Sequence, residues 1–125
     1  MSDYEEKFDL QAIYSILRKW AKNGIHEVDT YSHLTQEYRD TVKENIDPHT
    51  ELNVALGMIN RRLAIIGAPP ISALVVKKST GEPGGGFWGC SSNVPARPSN
   101  KDERSATWAS LVKEVISYDW PSTLP

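Results

Sequence analysis

A proline pair places the firmest constraint on how this chain folds. Pro69-Pro70 follows Gly67 directly after a run of helically spaced apolar residues. Proline lacks an amide hydrogen and clashes with the carbonyl four residues back, so no helix passes through that point. A glycine just ahead of it accepts the left-handed backbone that closes a helix. The chain must therefore change structure type near residue 68. Beyond it Ala73, Leu74, Val75 and Val76 are apolar without a helical gap, which predicts a strand over residues 71–78. Residues 79–86 are dominated by Gly81, Pro83, Gly84, Gly85 and Gly86 and predict a turn. Phe87-Trp88-Gly89 then suits a short returning strand, and the two strands form a β-hairpin.

Ahead of the break the pattern is helical. Ser2 or Asp3 caps a first helix, with Glu5 and Glu6 in its opening turn where negative charge suits the dipole. Leu10, Ile13, Tyr14, Leu17 and Ala21 form its buried stripe, with Trp20 beside them, and Asn23-Gly24 stops it. Asp29-Thr30 opens a short second helix to about Tyr38, with Tyr31, Leu34 and Tyr38 on one face. Asp47-Pro48 starts a third, about 49–66, whose stripe is Leu52, Ala55, Leu56, Ile59, Leu63 and Ile66. After a Pro-containing exposed loop over residues 91–100, Ser105 or Thr107 caps a last helix to about Tyr118, and the final residues are loose.

The predicted fold is α+β and mostly helical, with a helix-turn-helix core, a small β-hairpin wing and a C-terminal helix. All 125 residues form one domain, a length that buries a core without disulfides or metals. The single cysteine, Cys90, makes no internal disulfide. The acidic start lacks the apolar run of a signal peptide, and no stretch approaches the roughly 20 apolar residues of a membrane span. A cytoplasmic location without membrane contact is expected.

The residues from Thr30-Tyr31-Ser32-His33-Leu34 onward resemble the Thr-Tyr-Gly-x-Leu helix start of methylguanine-DNA alkyltransferases and the alkyltransferase-like proteins. Pro70 to Val76 falls where that family has its Pro-Cys-His-Arg-Val segment, and Gly85-Gly86-Phe87 resembles its Gly-Gly-aromatic stretch. The likeness spans about residues 28–89. It implies a winged-helix scaffold that contacts duplex DNA. The alkyl-accepting cysteine and its neighbouring histidine are replaced by Ile71 and by Ser72 or Ala73, so the resemblance implies no alkyl transfer. Residues 71–87 also resemble a stretch in bacterial and phage proteins that carries no assigned chemistry.

No catalytic set is expected. Cys90 has no histidine beside it in sequence, and His26, His33 and His49 lack the spacing of a helical zinc site. The Gly-rich turn lacks the Gly-Lys-Ser/Thr ending of a phosphate loop. No cofactor is expected. The functional signal is charge. The chain carries a net −2, yet between Glu51 and Glu82 there is no acid, and Arg61, Arg62, Lys77 and Lys78 fall there. Cations on one surface neutralise phosphates and release counterions. Asn53 and Asn60 are positioned on the third helix to read base edges, His49 sits at its start to meet an anion, and Trp88 is available to stack on a base. The expected function is a non-enzymatic DNA-binding module whose third helix and wing contact duplex. The alternative is a small inhibitor or adaptor of bacterial or phage origin that binds a protein through its acidic start and the aromatic wing.

Overall fold

The Asp9 carboxylate accepts a hydrogen bond from the Ala12 amide at 2.9 Å and so caps the first helix, α1, Leu10–Asn23. The computed structural model describes residues 9–23, 29–47 and 50–125. The expected capping at Ser2 or Asp3 and the glycine stop at Gly24 lie outside the described residues. The α1 stripe is as the spacing predicts: Leu10, Ile13, Tyr14, Leu17, Trp20 and Ala21 are all buried. A two-residue strand, β1, Asp29–Thr30, leads into α2, Tyr31–Val42. Thr30 caps α2 by accepting from the His33 amide, and Lys43 ends it in the left-handed region at φ 64°. The helix runs past its predicted end because nothing in residues 39–42 breaks it, and Leu34 and Tyr38 are buried on its inner side.

The third helix, α3, Glu51–Ile65, is the centre of the molecule. Leu52, Ala55, Leu56, Ile59 and Leu63 are buried, and so are Gly57 and Asn60. Ile66, expected to close the stripe, is instead 45% exposed, because the backbone turns out of the helix there. Gly67 follows at φ 74°, the conformation that its place before the prolines predicted.

The expected strand over residues 71–78 forms only in part. Ile71–Leu74 is a single 3₁₀ turn, started by the Ala73 amide donating to the Pro70 carbonyl. Strand β2, Val75–Val76, pairs in parallel with β1, Asp29 opposite Val75 and Thr30 opposite Val76. No hairpin forms with residues 87–89, and the backbone donors show why. The Gly81 amide donates to the Lys77 carbonyl and the Lys77 amide to the Glu82 carbonyl, which closes residues 77–82 into a small loop. Pro83 has no donor. The Gly84 amide goes to the Tyr31 hydroxyl, and the Phe87 and Cys90 amides go to carbonyls three residues back. With these donors engaged in turns and with Tyr31, residues 77–90 fold back on themselves rather than forming a ladder.

The last helix, α4, Lys101–Ser117, starts four residues before Ser105, the earlier of the two expected caps. Asn100 is the cap, its side chain accepting from the Asp102 and Glu103 amides, and those two acids occupy the first turn. The tail expected to be loose is docked. Trp120 and Leu124 are buried, the Trp120 indole donates to the Val115 carbonyl, and the Leu124 amide donates to Gln11 at 2.8 Å. One core joins all four helices described here with the 3₁₀ turn. The architecture is thus mostly helical α+β with a two-stranded parallel sheet. Among the described residues no helix is long and apolar enough to cross a membrane.

Candidate nucleic-acid interface

The end of β2 and the start of α2 lie side by side because β1 and β2 pair in parallel. That register brings the residues just after Val76 next to those that open α2. Lys77 and Lys78, both exposed, share a cleft of about 510 Å³ with Thr30, Tyr31 and Ser32 on one side and Asn53 on the other. Ser79, Gly84 and Gly85 complete the lining, and no acid is among these nine residues. Among the described residues neither lysine is engaged in an ion pair.

The Tyr31 phenol is the strut of this cleft. Its hydroxyl accepts the Gly84 amide at 3.0 Å and so fixes the glycine-rich segment against α2. Burial raises its pKa above the ordinary tyrosine value, more than the Gly84 hydrogen bond lowers it. Gly84 must be glycine here: a Cβ would sit 2.9 Å from the Tyr31 oxygen.

A second, smaller hollow of about 280 Å³ continues from the first past Lys77 and Gly85, which line both. It is bordered by Trp88, Arg97 and Arg104, together with Glu82. Arg104 holds Glu82 through Nε at 3.3 Å, so that acid is matched inside the hollow. Arg97 is exposed and engages no acid among the described residues. Trp88 is half-buried, with its ring 5.2 Å from that of Phe87 in an edge arrangement.

The remaining expected site residues divide. Asn53 is exposed and lines the lysine cleft. Asn60 is fully buried: its amide nitrogen donates to the Ser72 hydroxyl at 2.7 Å and toward the Cys90 sulfur at 3.5 Å. Its carbonyl oxygen accepts the Ser72 amide at 3.4 Å. A side chain held from both ends inside the core has no reach to a base edge. The heptad offset from Asn53 put the two asparagines on nearly one helix face, but that face slopes under residues 86–90. Arg61 is exposed and donates to the Cys90 carbonyl at 3.3 Å. Arg62 is turned away, its Nε donating to the Pro125 carbonyl at 2.7 Å. The two adjacent arginines therefore do not act together. His49 lies outside the described residues. His33 is gripped between acids, Nδ1 against the Asp29 carboxylate and Nε2 at 3.2 Å from Glu37, and packs on Trp20.

Sequence reasoning missed Arg97, Tyr31 and the hydroxyls of Thr30 and Ser32. Arg97 stands alone in a Pro-containing loop, with no local signal that the loop returns to Lys77. No family model matches the chain, and no curated protein or solved structure matches it either.

Proposed function

We propose that this chain is a non-enzymatic nucleic-acid-binding module that grips the phosphate backbone through the cleft holding Lys77 and Lys78. One observation carries the reading: among the described residues, two lysines without an ion pair, four hydroxyl side chains and an amide share one open cleft with no acid in its wall. A cation pair facing such a wall is matched by the strong acceptors of a phosphate. The continuation of the cationic rim to Arg97 supports a chain-like polyanion over an isolated ion.

The docking mode differs from a helix laid in a groove. Seven of the fifteen residues of α3 are buried, among them Asn60, and Arg62 faces the opposite side. In this reading α2 and α3 serve as scaffold, and the loop over residues 77–86 takes the role expected of the wing. The net charge of −2 limits non-specific attraction, so binding is confined to this patch.

The test is fluorescence anisotropy with a labelled DNA at several salt concentrations. Affinity falls steeply as salt rises. The K77A/K78A double variant weakens binding, and its salt slope drops by about 2, on the order of one per lysine. Absence of binding at low salt, or binding indifferent to both lysines, overturns the proposal.

One observation favours the protein-binding alternative. Ile65 and Ile66 are the exposed large hydrophobic residues among those described, at 85% and 45%, and they adjoin a groove lined by Pro69, Pro70 and Tyr118. Replacing both with serine leaves nucleic-acid binding unchanged and removes that apolar surface.

A further inference from the structure

Trp88 is distinguished from the other three tryptophans by what its indole nitrogen does. The Trp20 indole donates to Glu37, that of Trp108 to the Ala73 carbonyl, and that of Trp120 to the Val115 carbonyl. Trp88 alone among the described residues has no protein partner for its indole N–H. That N–H is not buried, since no buried side-chain nitrogen or oxygen among the described residues lacks a partner, so it is open to solvent or to a ligand. The ring is held in place from one side by buried Phe87 and borders the hollow that Arg97 and Lys77 also line. An aromatic surface flanked by two unpaired cations is the arrangement that takes a base by stacking while the neighbouring phosphates meet the charges. The wall beside it is Gly85, which offers no side chain to obstruct a close approach.

We infer that the ligand is single-stranded nucleic acid, with one base stacked on Trp88 and its flanking phosphates held by Arg97 on one side and by Lys77 and Lys78 on the other. This deepens the phosphate-binding reading and rests on it. A duplex keeps its bases stacked on one another, and exposing one to an indole costs a few kcal/mol. A single strand presents its bases already splayed, so the hollow at Trp88 is filled at no such cost. The α3 helix, which a winged-helix protein would lay in a duplex groove, has seven of its fifteen residues buried and is poorly placed for that role.

The experiment titrates the full chain with an oligothymidine strand and, separately, with a hairpin duplex carrying the same number of phosphates, following anisotropy and tryptophan emission together. The strand binds more tightly than the duplex and quenches tryptophan emission. Trp88→Ala loses about tenfold or more in affinity for the strand. Trp88→Phe, which keeps an aromatic ring in the packing, retains part of the affinity and loses the quench. Arg97→Ala, on an exposed side chain, weakens the strand without altering the fold. Equal or tighter binding of the duplex, or strand affinity indifferent to Trp88→Phe and Arg97→Ala, overturns the single-strand inference and leaves the lysine cleft standing. Failure of both nucleic acids to bind at low salt overturns both.

Discussion

Replacing Asn60 separates a structural from a recognition role more sharply than any other change on α3. The Asn60→Leu variant keeps the branched outline of the side chain, with bulkier methyl groups, and removes both ends of the amide. The Ser72 hydroxyl then loses its 2.7 Å partner, and the Ser72 amide loses the carbonyl oxygen at 3.4 Å. A buried polar group left unsatisfied costs about 1–3 kcal/mol. The longer second contact contributes at the low end, so the total is about 2–4 kcal/mol. With a urea m-value of roughly 1–3 kcal/mol/M for a domain of this size, the midpoint of unfolding falls by about 1–2 M. Urea titration followed by circular dichroism measures it. The N60L/S72A double variant recovers at least about 1 kcal/mol, because replacing both partners of a buried hydrogen bond by apolar groups is far milder than orphaning one. An N60L protein with an unchanged midpoint and weakened oligonucleotide binding would refute the reasoning, for it would place Asn60 at the ligand.

Four further outcomes follow from the packing. Gly84→Ala pushes a methyl against the Tyr31 oxygen and costs about 1–3 kcal/mol, while G84A combined with Tyr31→Phe costs less than the sum of the two, read by the same urea titration in a mutant cycle. Asn100→Ala strips the cap from the first turn of α4 and lowers stability by about 1 kcal/mol, with oligonucleotide affinity unchanged. Trp120→Ala unseats the tail from α1 and α4 and costs about 3–5 kcal/mol, read as a fall in the thermal midpoint. Burial raises the pKa of Tyr31 and of Tyr14 above the unfolded value of 10.0. The neutral phenols therefore stabilise the fold fully below pH 10, and that contribution is lost as pH rises through the folded values. Unfolding midpoints measured across this range decline in alkali, less steeply in Tyr31→Phe.

The helices were legible because their signals are local. The α1 stripe, the Thr30 cap and the Gly67 stop each depend on residues within a turn or two of one another. The start of α4 is equally local: Asn100 followed by Asp102 and Glu103 is an N-cap with acids in the first turn, but Ser105 and Thr107 stand nearer the apolar spacing that begins at Trp108 and compete with it as caps. The hairpin was misread for a different reason. An apolar run followed by glycines and two aromatics fits a returning strand, yet what decides pairing is where the donors find acceptors. The Gly84 amide meets Tyr31, 53 residues earlier in the chain, and β2 pairs with residues 29–30, 46 positions before it. Neither contact leaves a trace in the local pattern. The same holds for the site. Lys77 and Lys78 were visible as cations in an acid-free stretch, but the nearness of Arg97, and the burial of Asn60 beside exposed Asn53, depend on how residues 86–98 fold back over α3.

The patch around residues 77–86 is the proposed ligand surface. Its most direct test is a ¹H–¹⁵N correlation spectrum of the labelled protein titrated with an unlabelled oligothymidine strand. The amides of Thr30 to Ser32, Lys77 to Gly86 and Arg97, together with the Trp88 indole N–H, shift in proportion to occupancy, and those around Ile65 and Ile66 stay fixed. Shifts confined to the Ile65–Ile66 side, or no shifts at low salt, would contradict it.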